Sequence, residues 1–188
     1  MVIKLTKKVH TTAGICTGMI FSIILFKKNI FHLDMIILFI LLSGSAIGSS
    51  IPDIDNRRSY IGQKAKKISK AINKYGGHRG ITHSILGLII AFLLLSIIGD
   101  YTKLVNFEYY RVFSFGILIG YASHLIFDII TIGGIPLFYP VKKRFRLLYL
   151  KSDKFQNLIS AMCIIITILI LIQLNYSFIL TIIKNNKS

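Results

Sequence analysis

The sequence predicts an all-α membrane protein, a polytopic helical bundle of about five spanning helices with one or two amphipathic interfacial helices. Three observations carry this. Hydrophobic residues make up 54% of the 188-residue chain, and the mean hydropathy of +0.68 lies above the range of soluble domains. The apolar residues gather in runs close to the length a bilayer requires. The 23 Lys and Arg residues fall mainly in short segments between those runs, as membrane proteins distribute basic charge.

The runs cover residues 11–26, 34–51, 81–98, 112–132 and 158–180. A spanning helix needs about 20 residues, within roughly 17–25. The last two runs meet this easily. The first three are short, and reading them as spans rests on how little polar sequence is left to cover a soluble surface. Lys4, Lys7 and Lys8 precede the first run, as in a signal peptide, but Lys27 and Lys28 stand where small cleavage-site residues belong, so an uncleaved first span is expected. Cys16 and Cys163 lie inside apolar runs without paired ligand spacing and read as core-filling residues. No fixed-period repeat and no low-complexity linker divides the chain, which is read as one membrane-embedded domain, residues 1–188.

Basic residues set the expected orientation, because cytoplasmic segments are enriched in Lys and Arg near the span ends. Residues 57–79 include Arg57, Arg58, Lys64, Lys66, Lys67, Lys70, Lys74 and Arg79, and a later segment includes Lys142, Lys143, Arg144 and Arg146. The segment 99–111 has only Lys103 and Arg111, offset by Asp100 and Glu108. Alternating spans then place the N-terminus in the cytoplasm and the C-terminus outside, in an integral plasma (inner) membrane protein. Ile61, Ala65, Ile68 and Ile72 recur three to four residues apart among lysines. That spacing predicts an amphipathic helix on the inner membrane surface. Residues 139–151 read as a second interfacial segment. The expected partners are the lipid bilayer and anionic lipid headgroups at the basic loops; the formal net charge of +16 is not read as a nucleic-acid surface.

The chain has only seven acids and five histidines, so their placement is informative. In this topology His10, Asp53, Asp55, His78, His83, His124 and Asp128 all fall on the cytoplasmic side. Charged groups beside apolar helices are costly and usually face the bundle interior, where they find partners. His124 and Asp128 are four apart on one helix face, with Thr131 continuing the stripe, and that spacing suits two ligands of one metal. Glycines follow the same faces: Gly14 and Gly18 after His10, Gly44 and Gly48 before Asp53, Gly87 after His83, Gly116 and Gly120 before His124. Small residues every four positions let membrane helices approach closely. The fifth run has no such residue and is expected at the periphery.

Imidazoles and carboxylates together suit a divalent metal, zinc first and manganese second. Such an ion lowers the pKa of its water towards about 7 for attack on an ester or phosphoester. No G-x-S-x-G, P-loop or G-x-G-x-x-G pattern offers a different chemistry. His78 and His83 are five apart and would face different ways on one straight helix, so Gly80 is read as the helix start; His83 is the preferred ligand, with His78 either in the loop or itself the ligand while His83 orients substrate. Asp55 is left as a second ligand, a general base or a helix cap. Arg79 is either a clamp on a phosphate oxygen or a topology determinant, and His10 either a ligand or an interface residue.

Three stretches carry a family resemblance: Ile51-Pro52-Asp53-Ile54-Asp55, Gly77-His78-Arg79-Gly80-Ile81-Thr82-His83-Ser84 and Ser123-His124-Leu125-Ile126-Phe127-Asp128. With them the chain, from His10 to the basic run ending at Arg146, resembles the YdjM-like family of membrane-bound proteins classed as metal-dependent hydrolases. More distantly, the order His, Asp, His, His-x-x-x-Asp is similar to that of zinc-dependent phospholipase C and the zinc-dependent single-strand nucleases. That likeness implies one ion on Asp53, a middle histidine, His124 and Asp128, and a second on His10 and a bridging Asp128. The chain departs from the pattern in lacking a downstream His, His and Glu set for a third ion, and in lacking tryptophan. The expected function is a membrane-embedded metal-dependent hydrolase of a phosphoester such as a phospholipid, with Asp55 and Arg79 as its catalytic candidates. The alternative is a non-enzymatic membrane protein, either an ion or metal transporter or a recruitment module.

Overall fold

A computed structural model describes residues 7–27, 35–77, 79–101, 107–131, 133–147 and 153–185. The fold is an all-helical membrane bundle, with no strand among the described residues. Its helices are α1 (Lys7–Lys27), α2 (Met35–Gly48), α3 (Tyr60–Lys64), α4 (Lys66–Gly76), α5 (Ile85–Tyr101), α6 (Phe107–Ile130) and α7 (Asp153–Asn185). Four segments are long and apolar enough to cross a bilayer: Lys7–Leu25, Met35–Asp55, Glu108–Ile130 and Phe155–Leu174. One further apolar helix, α5, has 17 residues, at the short limit for a span.

The bundle is organised around α6, which packs most closely on α2. Glycine makes this possible. A Cβ added at Gly48 would drive into the Ile117 carbonyl, and one added at Gly120 would drive into the Ser45 carbonyl. The backbones therefore touch where any side chain would part them. Leu25, Ile37, Leu41, Val112 and Ile119 fill the layer among α1, α2 and α6.

Helix α7 lies outside this core and rests on α1, where Cys163 meets Ala13 and Cys16. Leu158, Ile165, Leu169 and Ile172 point away from the protein, as expected of a lipid-facing helix. On the other side, Gly87 is the one buried residue of α5, and Leu93, Leu94 and Ile97 are exposed.

Three local departures from the sequence reading have clear causes. The third apolar helix starts at Ile85 rather than at residue 81, because Ser84 is extended and its Oγ accepts the Gly87 N–H at 3.2 Å. This is an N-cap, and it leaves Ile81–His83 as a separate 3₁₀ turn. The amphipathic stretch is two helices, since Ala65 (φ −108°, ψ 50°) leaves helical geometry between α3 and α4. Ile68 on α4 is exposed while Ser69 is buried, so the apolar stripe is not turned wholly inward. Residues 139–147 form no helix: Ile135 and Phe145 exchange N–H···O bonds of 3.2 and 2.9 Å. Leu147 N–H also reaches the Ile129 carbonyl at 2.9 Å. Residues 148–151 of that segment lie outside the described residues.

Candidate metal centre

Four elements converge at the end of the bundle where α1 and α5 begin. Helix α1 supplies His10 from its first turn, and α6 supplies His124 and Asp128 from its last two turns. After α2 the chain tightens into the 3₁₀ turn Ile51–Asp55. Pro52 fits the start of that turn because it has no N–H to donate, and the turn aims Asp53 and Asp55 inward. The turn Ile81–His83 supplies His83, and the Tyr121 hydroxyl ties it to α6 by donating to the Thr82 carbonyl at 2.5 Å. His10, His83, His124, Asp55 and Asp128 are at most 1% exposed; Asp53 is 13% exposed.

The ligand atoms of this cluster lie close enough to one another to hold an ion. His83 Nε2 and His124 Nε2 are 3.3 Å apart. Asp128 Oδ2 is 3.5 Å from the former and 3.6 Å from the latter, and Asp53 Oδ1 is 3.9 Å from His83 Nε2. Two nitrogens bound to one tetrahedral zinc ion at about 2.0–2.1 Å are necessarily about 3.3–3.4 Å apart.

Proton positions follow from the outer partners. His124 Nδ1 lies 2.6 Å from the Ser49 carbonyl, and a carbonyl only accepts, so Nδ1 carries the hydrogen. His83 Nδ1 lies 3.2 Å from both Asp55 Oδ2 and Thr82 Oγ1; the Asp55 carboxylate accepts, which favours the hydrogen on Nδ1. With each Nδ1 turned to its outer partner, the Nε2 atoms of the two rings face the same small space. Burial lowers the His83 pKa from its ordinary 6.5, against the opposing pull of Asp55, which favours the neutral form. In the neutral form of both rings two lone pairs meet there, and a metal ion between them is one way to satisfy both. The donor set thus fits a divalent ion, and each histidine is backed by a carbonyl or carboxylate in the manner of metal ligands.

His10 stacks on His124, with ring centroids 3.8 Å apart and planes 14° from parallel. Its Nε2 is 3.6 Å from Asp128 Oδ1, and neither of its nitrogens has a hydrogen-bond partner among the described residues. Arg79 has a left-handed backbone, φ 58°, and its N–H donates to Asp55 Oδ2 at 2.6 Å. Its guanidinium donates through Nη2 to Asp128 Oδ1 at 3.1 Å and through Nη1 to the Gly134 carbonyl at 3.2 Å.

A cavity of about 240 Å³ opens beside His10 and Asp53, with Lys7, Arg58 and Tyr60 on its walls. Lys7 Nζ sits 3.6 Å above the Tyr60 ring.

The structure thus brings together His10, Asp53, His83, His124 and Asp128, with Asp55 and Arg79 immediately behind them. His78 lies outside the described residues. Thr131, on the same stripe of α6, donates to the Asp128 carbonyl at 2.8 Å rather than to its carboxylate. Sequence reasoning missed the Ser49 and Gly134 carbonyls, which carry no signature in residue type. It also missed Tyr121, whose place one turn before His124 was the available signal.

The family described as YdjM inner membrane protein matches residues 5–185. The uncharacterized protein YvsG of Bacillus subtilis (strain 168) is 39% identical over 119 residues, covering 63% of this chain and 69% of its own length. The inner membrane protein YdjM of Escherichia coli (strain K12) is 37% identical over 116 residues, covering 60% of this chain and 56% of its own. The Shigella flexneri protein of the same name gives the same figures. This chain therefore aligns with little more than half the length of those two relatives. No solved structure matches it. A match from residue 5 to residue 185 takes in every described helix and every residue of the cluster, and the chain belongs to the YdjM inner membrane protein family.

Proposed function

We propose that this protein is a membrane-embedded metal-dependent hydrolase that acts on a phosphoester at the cytoplasmic face of the membrane, with a phospholipid headgroup as the substrate class. The observation that carries the reading is the pair of Nε2 atoms of His83 and His124, 3.3 Å apart and flanked by carboxylate oxygens of Asp53 and Asp128.

In this reading His83 Nε2, His124 Nε2, Asp128 Oδ2 and Asp53 Oδ1 hold one divalent ion, zinc or manganese. When bound, it supplies a Lewis acid and lowers the pKa of water towards about 7, which is what phosphoester hydrolysis at neutral pH needs. Asp55 holds the His83 proton on Nδ1 and so keeps the Nε2 lone pair aimed at the centre. The Ser49 carbonyl does the same for His124. Arg79 spends both described guanidinium contacts on Asp128 and Gly134, so it positions Asp128 rather than reaching into the cavity. Asp53 lines the cavity and is the carboxylate placed to meet substrate. Lys7 and Arg58, on the same walls, provide positive charge for a phosphate.

The cytoplasmic orientation rests on the concentration of Lys and Arg in the segments that flank the centre. The same charge draws those segments to anionic lipid.

The test is direct. Purified full-length protein in detergent is expected to contain about one equivalent of zinc or manganese, and to release phosphate or a phosphorylated headgroup from phospholipid vesicles. His124→Ala and Asp128→Ala should lose both the metal and the activity. Metal content unchanged in both variants would remove the centre from the account.

A further inference from the structure

Resting on the proposed metal-dependent reading, a second question is how many ions the cluster holds. Two triads overlap in it: Asp53, His83 and His124, and His10, His124 and Asp128. We propose that Arg79 occupies the role of the second cation, so that the centre takes a single divalent ion and Asp128 is shared between that ion at Oδ2 and the guanidinium at Oδ1.

Four observations support this. First, His124 has one lone pair to give, because its Nδ1 hydrogen is committed to the Ser49 carbonyl at 2.6 Å. It can serve one triad only. Second, ring geometry selects which. The His83 and His124 planes cross at 68° with their Nε2 atoms facing, whereas His10 and His124 are stacked 14° from parallel. Imidazole lone pairs lie in the ring plane, so stacked rings direct theirs side by side rather than towards a common point.

Third, Asp128 Oδ1 already accepts from Arg79 at 3.1 Å, closer than His10 Nε2 at 3.6 Å. The guanidinium is not a casual neighbour: Arg79 is 6% exposed, its left-handed backbone donates to Asp55, and Gly134 accepts from its other arm. Arginine does not lose its charge in proteins, so this cation is permanent. Fourth, the charges balance. Counting each imidazole in the neutral form that binds a metal, Asp53, Asp55, Asp128 and Arg79 leave two negative charges among the described groups of the cluster. One divalent ion cancels them; two would leave a buried excess of two positive charges, which a low-dielectric site resists.

The experiment is metal analysis of the full-length protein after depletion and reloading with excess zinc. One equivalent is expected for the wild type and for His10→Ala. Arg79→Ala, which removes the fixed cation and uncovers Asp128 Oδ1 beside His10, should take up zinc beyond one equivalent, while Arg79→Lys stays at one. Adding His10→Ala to Arg79→Ala should return the count to one. Two equivalents in the wild type, loss of metal in His10→Ala, or a single equivalent in Arg79→Ala at saturating zinc would overturn the assignment. A wild type that takes up no zinc sinks the metal-dependent reading itself, a result distinct from a count of two. If Arg79→Ala does not fold, Arg79→Gln, which removes the charge but keeps a hydrogen-bonding arm, replaces it with the same expected count.

Discussion

His83 and His124 come from different elements, 41 residues apart in sequence, and meet edge to face with the proton of each ring held on the far nitrogen. One proton is held by a side chain, Asp55, and the other by a peptide carbonyl, Ser49. The two supports are therefore unequal under mutation, and only the first can be removed by substitution.

Asp55→Asn should separate holding an ion from orienting a ligand. Loss of the partner behind a ligating histidine typically weakens metal binding about 10–100-fold. Asp55→Asn should therefore bind zinc with an affinity reduced by about that factor, whereas His83→Ala should abolish binding. Competition with a fluorescent chelator measures both. Equal loss in the two variants would make Asp55 a ligand rather than a support.

Packing of α2 on α6 predicts a stability change remote from any charge. Gly48→Ala and Gly120→Ala each force a methyl group against an opposing carbonyl, and overpacking of this kind costs about 1–3 kcal/mol. Unfolding in mixed detergent micelles should detect it, with Gly77→Ala as a poor control because its φ is +68°. Substitution at Ser96, on the face of α5, is a better one. A neutral result at both glycines would mean that the helices can move apart freely.

The metal-free protein should lose stability on mild acidification. Above about 6.5 His83 is neutral in folded and unfolded chains alike; below that value the unfolded chain takes up a proton that burial denies the folded one. Stability conferred by the neutral ring is thus present above 6.5 and declines as pH falls below it. The melting temperature should fall between pH 7 and pH 5, and His83→Gln should flatten part of that slope. An identical slope in the variant would remove His83 as a source.

Orientation can be read by labelling. A cysteine introduced at Lys67, on the exposed face of α4, should react with a membrane-impermeant maleimide in inverted vesicles and be protected in intact cells. Cys16 and Cys163 are both buried, which keeps the background low. Labelling in intact cells would invert the proposed topology and place the centre on the opposite side.

Much of this architecture was legible in the sequence, because hydropathy and glycine spacing report directly on bilayer burial and backbone approach. The α2–α6 contact follows from Gly44, Gly48, Gly116 and Gly120, and the pairing of His124 with Asp128 follows from a helical step of four. What connects the helices was not legible. The break at Ala65 and the irregular path of residues 133–147 depend on tertiary hydrogen bonds such as Ile85 N–H to the Leu137 carbonyl at 2.9 Å, which leave no periodicity. Arg79 shows the limit most clearly. Its residue type suggested a phosphate clamp or a topology signal, but its left-handed backbone and its two side-chain acceptors depend on where Asp55, Asp128 and Gly134 lie in space.

The absence of side chains at Gly48 and Gly120 also bears on ion selection. Ser49 follows the first of these residues and His124 lies one turn beyond the second, so the carbonyl that fixes the His124 proton and the imidazole itself ride on two helices with no slack between them. Calcium requires about six to eight oxygen donors at roughly 2.3–2.6 Å, and seating it would oblige the donors to retreat and the helices to separate. Radius rather than charge then becomes the filter, and excess calcium should fail to displace zinc from the loaded protein. An effective calcium competitor would show that the helix pair is compliant after all.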